Sequence, residues 1–145
     1  MLLIDKLRSE HERIDHMIGA LRTYAARRVD GTADGADATR FVAFFRLYAD
    51  QYHHAREEDV LFPALVRELD LPDDHGPIAS LRADHGRMRA LFSELAGLLG
   101  ATLDAPAAER LSSLAVQWSH ALWLHVDAEN SVLFPECEDR LSRVG

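Results

Sequence analysis

The sequence predicts an all-α protein, an antiparallel up-down-up-down four-helix bundle, and three observations lead to this fold class. Apolar residues recur at intervals of three and four in four separate segments, which is the period of a helix that buries one face. Short stretches rich in Gly, Pro and Asp separate those segments and are typical of loops. No segment has the alternating β-branched pattern of a strand. Four helices with short connections pack as a bundle of antiparallel neighbours.

The length and composition favour a single domain over residues 1–145. Apolar residues make up 48% of the chain, which is enough for a buried core. The apolar runs are too short for a membrane span, and the charged N-terminus is unlike a secretory signal. Cys137 is the single cysteine and cannot form an internal disulfide, so we expect a cytoplasmic protein. The net charge of −8, with both signs mixed along the chain, argues against a nucleic-acid partner.

The first helix is predicted from about Ile4 to Arg28, with a histidine inside its apolar stripe. The stripe consists of Ile4, Leu7, Ile14, Ile18, Leu21 and Ala25. His11 occupies the position that this stripe leaves open, where an unpaired polar group would be costly. His16 falls off the stripe and is expected on the surface. The Gly- and Asp-rich residues 30–37 are predicted to form the following loop.

The second helix is predicted from about Thr39 to Leu61. Its buried side is predicted to include Phe41, Phe44, Phe45, Tyr48 and Tyr52. Pro63 should end or kink this helix, with a short helical continuation to about Leu69. Residues 71–77 form a turn-rich connection in which His75 is expected to be solvated.

An internal repeat selects one of two His/Glu pairs on the second helix. The segment YHHAREEDVLFP recurs 72 positions later (residue 53 against residue 125) as LHVDAENSVLFP. Periodicity alone leaves both pairs at the edges of the apolar stripe. The repeat keeps His53 and Glu57 but does not keep their neighbours His54 and Glu58. We therefore choose the first pair, whose members share a helical face because they are four residues apart.

The third helix is predicted to start near Pro77 and again leaves one core position to a histidine. Its stripe consists of Ile78, Leu81, Met88, Phe92, Leu95 and Leu99. His85 fills the remaining position, and the sequence DHGRM around it resembles EHERI around His11. The chain is therefore predicted to consist of two related helical hairpins.

The fourth helix follows residues 100–106, in which Asp104 is a candidate N-cap. Its stripe is predicted to include Leu111, Leu114, Trp118, Leu122, Val132 and Leu133. His125 and Glu129 fill the gap in this stripe, whereas His120 does not. The second hairpin therefore repeats the polar residues of the first.

Histidines in all four apolar stripes, with two carboxylates, predict a metal site. Ionised carboxylates in an apolar core cost several kcal/mol each unless they are paired, and metal ions offset this cost better than neutral imidazoles do. A structural polar network without metal is the alternative. Six ligands are too many for tetrahedral zinc, so two bridged ions are favoured, and mixed ligation suits iron better than manganese. The predicted ligands are His11, His53, Glu57, His85, His125 and Glu129.

The order of these six residues, H-HxxxE-H-HxxxE, resembles the pattern of hemerythrin-like (HHE cation-binding) proteins over nearly the whole chain. The segment HHAREEDVLFP and the later Glu-x-x-x-Leu-Phe-Pro are also similar to segments of that family. The resemblance implies a non-heme di-iron centre (Fe2+/Fe3+) bridged by Glu57 and Glu129 and by an oxo or hydroxo ligand. It also implies that the centre binds O2, hydrogen peroxide or nitric oxide.

The sequence departs from the classical oxygen carriers of that family. Those proteins have a fifth histidine in a His-x-x-x-His pair on the third helix, whereas Leu81 and Arg89 flank His85 at that spacing. Glu129 also replaces their bridging Asp. One ion should therefore be less crowded or should recruit another group, and reversible oxygen carriage becomes doubtful. The candidates for that group are His16, Glu58, His120, Tyr24 and Tyr52.

Two functions remain open from the sequence. A di-iron centre with four imidazoles carries less negative charge than a carboxylate-rich one, which favours peroxide dismutation or nitric oxide reduction over hydrocarbon oxidation. The alternative is an oxygen-, iron- or redox-sensing or metal-binding module without turnover, and no acid/base residue stands out. The expected partner is a small diatomic or peroxide ligand, with no nucleic acid or membrane. Trp123 is expected to be exposed and is a candidate homodimer contact.

Overall fold

The structure, a computed structural model, describes residues 2–144, with side chains for residues 2–140, and confirms the all-α four-helix bundle. The first long helix is α1 (Leu2–Asp30) and the third is α4 (Gly76–Leu99). The second consists of α2 (Ala38–Ala43), π-helical segments Phe44–His54 and Glu57–Leu61, and α3 (Phe62–Leu69). The fourth consists of α5 (Ala105–Ala128), a π-helical segment Glu129–Leu133, and α6 (Phe134–Val144). No strand occurs within residues 2–144.

Local sequence accounts for several helix ends. Asp104 is the N-cap of α5, as predicted, because its side-chain oxygen accepts a hydrogen bond from the backbone N–H of Ala107 at 2.9 Å. The second helix continues beyond Pro63 to Leu69, also as predicted. It ends at Asp70, whose φ of 54° is left-handed.

Wide helical turns precede both copies of the Leu-Phe-Pro sequence. The backbone N–H of Phe62 bonds to the carbonyl of Glu57, and that of Phe134 bonds to the carbonyl of Glu129, five residues back instead of four. The proline after each phenylalanine has no N–H and would clash with the carbonyl four residues earlier in a regular α-helix. The repeated sequence therefore produces a repeated backbone feature, which begins at a glutamate each time.

The apolar core is divided into two clusters, and every long helix passes from one to the other. The larger cluster includes Ile14, Phe45, Met88, Leu95, Trp118 and Leu122. The smaller cluster includes Ile4, Leu7, Leu61, Phe62, Leu81, Leu133, Phe134 and Cys137. On α1 the most deeply buried polar residue between the two clusters is His11, and on α4 it is His85. The bundle is therefore apolar at both ends and polar in one central layer.

Two residues predicted for the buried stripes are exposed. Tyr52 is 48% exposed and Val132 is 66% exposed, so these predictions are wrong. Both lie in π-helical segments, where the wider turn rotates successive side chains away from the 3.6-residue period. Trp118 is buried and Trp123 is half exposed, as the sequence predicts.

The remaining surface predictions hold for His16, His75 and His120, which are all exposed. Cys137 is fully buried in the smaller cluster, and burial raises the pKa of its thiol to about 11. Among the described helices, none combines the length and the apolar character that a membrane crossing needs.

Candidate metal centre

Buried imidazoles and carboxylates from all four long helices meet in the central layer. These residues form two groups, and in each group one ligand-type atom from every residue lies within 4.8 Å of those of the others. The first group consists of His11, His53, Glu57 and Glu129. The second group consists of His54, Glu57, His85 and His125. The six residues predicted as ligands are thus brought together, Glu57 is common to both groups, and His54 is added.

The glutamates lie between the imidazoles of the two groups. Glu57 Oε1 is 3.1 Å from His85 Nε2 and 3.9 Å from His125 Nε2. Glu129 Oε1 is 3.1 Å from His11 Nε2 and 3.4 Å from His125 Nε2. Glu129 therefore approaches a histidine of each group, and both carboxylates occupy positions from which they could bridge two ions.

Hydrogen bonds on the outer side fix four of the imidazoles. The Nδ1–oxygen pairs are His11 to Asn130 at 2.7 Å, His53 to Glu10 at 2.8 Å, His85 to Glu58 at 3.1 Å and His125 to Asp84 at 3.3 Å. An Nδ1–H that donates to these oxygens leaves the lone pair of Nε2 facing the central layer. Metal-binding histidines in proteins almost always have such an outer acceptor, which orients the ring and raises its basicity.

The outer acceptors follow the internal repeat. Glu10 and Asp84 each precede the histidine of the first helix in their hairpin, and each accepts from the histidine of the following helix. Glu58 and Asn130 occupy equivalent positions directly after the two glutamates of the centre. The two hairpins therefore build the surroundings of the centre in the same way.

Arginines hold three of the outer carboxylates. Arg56 donates to Glu10 at 2.5 Å, Arg87 pairs with Asp84, and a third arginine lies 3.5 Å from Glu58. Hydrogen bonds from His53 and Arg56 outweigh the opposing effect of burial and lower the pKa of Glu10. Glu10 is therefore an ionised acceptor, which suits its role toward His53.

Six inward-facing nitrogen and oxygen atoms of the centre have no hydrogen-bond partner among the described residues, which bears on whether the site fits a metal ion. Nε2 of His11, Nε2 of His53 and all four carboxylate oxygens of Glu57 and Glu129 are buried without a hydrogen-bond partner among the described side chains and backbone. Each unpaired buried polar atom costs free energy, and folded proteins contain few of them. All six can donate a lone pair, and they converge on one layer. The donor set therefore fits a cation.

Burial shapes the protonation of the centre. Burial, and then the charge of Glu129, raises the pKa of Glu57 well above its usual value. Burial lowers the pKa of His53, lowers that of His54 well below its usual value, and lowers that of His85 to about 4. These imidazoles are neutral near pH 7, and only neutral imidazole can coordinate a metal.

His54 is the inner residue that the sequence argument left out. It is 5% exposed and belongs to the second group, although the repeat has Val126 at the equivalent position. Consecutive residues point about 100° apart on an α-helix. An α-helical pattern therefore places only one of two adjacent histidines on the buried face. The wide turns of Phe44–His54 reduce that angle, and the rings of His53 and His54 lie 5.5 Å apart. The available signal was that both His/Glu pairs lay at the edges of the apolar stripe.

None of the five groups proposed as an extra ligand joins the inner layer. His16, His120 and Tyr52 are exposed. The hydroxyl of Tyr24 donates to the carbonyl of Asp34 at 2.6 Å. Glu58 is an outer acceptor, as described above. His54 takes the place that these candidates were expected to fill.

The comparison with protein families is consistent with this geometry. A family model described as the hemerythrin HHE cation binding domain matches residues 2–137. This range includes the first three long helices, the fourth as far as Cys137, and every residue of the two groups. No curated protein and no solved structure matches the chain significantly.

We predict that Glu57→Gln stabilises the metal-free protein at neutral pH. Because folding raises the pKa of Glu57, the folded state loses stability as pH rises above about 4.5, the pKa of the unfolded state. A neutral side chain avoids this loss, with a gain on the order of 1 kcal/mol, or about 2–4 °C in Tm. Thermal unfolding at about pH 4 and pH 7.5 measures this effect, which should grow with pH. Glu58→Gln is the matched control on a partly exposed neighbour. A lower Tm of Glu57→Gln at pH 7.5 would contradict the prediction.

Proposed function

Since the chain belongs to the hemerythrin HHE cation-binding domain family, we propose that it is a non-heme di-iron protein of a single domain. It binds O2, hydrogen peroxide or nitric oxide at a His/carboxylate centre in the core of the bundle. The observation that carries this proposal is the set of buried, unpartnered lone pairs in the central layer. Family membership supports cation binding, and the mixed donor set favours iron.

The two groups suggest how two ions would be held. His11 and His53 would bind the first ion, and His54, His85 and His125 would bind the second. Glu57 would bridge the ions because it belongs to both groups. Glu129 would be the second bridge because it approaches His11 on one side and His125 on the other.

The residues around the centre suit redox chemistry on a small ligand. Bound iron would supply electron transfer and open coordination positions. The apolar clusters on both sides restrict water, and the outer acceptors hold the imidazoles in place. Neutral imidazoles outnumber carboxylates in the inner layer, so the donors place little negative charge on the ions. We therefore favour peroxide dismutation or nitric oxide reduction over hydrocarbon oxidation.

A sensing or metal-binding role without turnover is the second candidate. It is favoured by the same unpartnered buried atoms, because they make the metal-free bundle less stable than the loaded one. Metal or ligand occupancy would then change the stability of the bundle, and a partner protein would detect that change.

The proposal also includes the location of the protein, its self-association and its ligand. The single buried Cys137 is consistent with a cytoplasmic location. Half-exposed Trp123 and Val116 lie seven residues apart on α5 and together form a candidate homodimer contact. The expected ligand is a diatomic molecule or a peroxide, and we expect neither a nucleic-acid nor a membrane partner.

We predict that Glu57→Ala and Glu129→Ala abolish the binding of two irons, since each removes a bridge. Metal analysis of purified protein after iron loading, together with its optical spectrum, measures the result. Asp59→Ala is the matched control, because Asp59 is an exposed acid two residues after Glu57, and it should retain full metal content. Unchanged iron stoichiometry in both bridge variants would rule out these bridges.

Turnover separates the two candidate functions. We expect the iron-loaded protein to decompose hydrogen peroxide, because the donor set suits cycling between Fe2+ and Fe3+. Oxygen release measures this activity, and the metal-free protein with added free iron is the control. Ligand-induced spectral change without turnover of peroxide or nitric oxide would instead support the sensing role.

We predict that iron dissociates as pH falls from about 6.5 to about 4. Protons compete with metal for imidazole nitrogens, beginning near the pKa of free histidine at about 6.5. Burial delays this competition, since it lowers the pKa of His85 to about 4 in the metal-free protein. Iron content after dialysis at graded pH measures the effect. Full occupancy at about pH 4 would argue against ligation dominated by histidine.

A further inference from the structure

We propose that His54 is a displaceable imidazole of the centre. It moves toward Asp50 and the adjoining cavity when a small anionic or diatomic ligand binds at the second group. This inference rests on the di-iron function proposed above and concerns how one side chain regulates access to that centre.

His54 lacks the outer hydrogen bond that the other four inner histidines have. Its Nδ1 lies 3.9 Å from Oδ1 of Asp50, which is too long for a hydrogen bond. The other four Nδ1 atoms have acceptors at 2.7–3.3 Å. Since an outer acceptor orients the ring and strengthens its binding to metal, His54 is the most weakly held imidazole of the five.

The internal repeat supplies a second, independent argument. Every other inner residue has an equivalent in the opposite hairpin, but the equivalent of His54 is Val126. The first group consequently contains two histidines, whereas the second contains three. The first group therefore has no third imidazole. If His54 moved away, the second group would also have two imidazoles, as the first group does.

A cavity adjoins the ring of His54 and can accept a displaced side chain. Its volume is about 230 Å³, many times the roughly 10–15 Å³ that a cavity needs to hold one water molecule. His54 and His85 form part of its wall, and apolar side chains form much of the rest. The apolar members are Phe45, Ala49, Met88, Phe92, Trp118 and Leu122.

Asp50 is positioned to hold the displaced ring. It also borders the cavity, and its Oδ1 already accepts a hydrogen bond from Arg89 Nε at 2.8 Å. A movement of about 1 Å would bring His54 Nδ1 within hydrogen-bond distance of the same carboxylate. The ring of His54 is stacked on that of His85, with centroids 4.0 Å apart and an interplanar angle of 17°. A stacked ring can slide parallel to its neighbour without breaking a hydrogen bond.

The test uses azide as a probe of the oxidised, iron-loaded protein, with iron content measured on the same samples. We expect His54→Ala to keep two irons and to bind azide at least about tenfold more tightly. In the wild-type protein azide binds only when His54 is displaced, and the apparent affinity falls in proportion to the fraction of molecules in that state. His53→Ala, which removes a firmly held neighbour, should lose iron. Loss of iron from His54→Ala, or an azide affinity unchanged within about twofold, would overturn the proposal.

A second variant leaves every inner donor in place. Asp50→Ala removes the acceptor for the displaced ring and should weaken azide binding severalfold while iron content stays at the wild-type value. Asp59→Ala, an exposed acid on the same long helix, is the matched control and should change neither. An azide affinity in Asp50→Ala equal to that of Asp59→Ala would overturn the proposal. Failure of the wild-type protein to bind two irons would instead refute the proposed function itself.

Discussion

The free energy of burying two carboxylates without hydrogen-bond partners is the constraint on which this structure depends. Glu57 and Glu129 are fully buried, and none of their oxygens has a hydrogen-bond partner within the described part of the chain. A bundle of this size could have filled the same layer with leucines at no electrostatic cost. Instead, the layer lies between two apolar clusters that exclude water from it. A cation in this layer would supply the missing interactions, because its charge would offset that of the buried carboxylates.

The two hairpins meet this constraint with nearly the same set of interactions. In each, a residue before one histidine and a residue after the glutamate accept hydrogen bonds from imidazoles across the bundle. The wide turn that begins at each glutamate is repeated as well. The centre is therefore a product of pairing two similar units. His54 is the departure from that similarity, and its contacts differ from those of the other imidazoles.

The sequence predicted the four helices and six inner residues because four of those residues filled gaps in apolar stripes and the internal repeat selected His53 and Glu57. It failed where the backbone leaves α-helical geometry. Tyr52, Val132 and His54 all lie in π-helical segments, where extrapolation at 3.6 residues per turn assigns the wrong face. The outer acceptors Glu10 and Asp84 were missed because an acidic residue at the edge of a helix looks like any solvated charge. Only the packing of another helix against it reveals its partner.

Cys137 acquires a protective property from its position in the smaller apolar cluster. Sulfur is oxidised by peroxide mainly as thiolate, and burial keeps this side chain in the protonated form. The cysteine can therefore reside in a protein that encounters oxidants without becoming sulfenic acid. Peroxide added to the folded protein should therefore oxidise other side chains before it reaches this thiol.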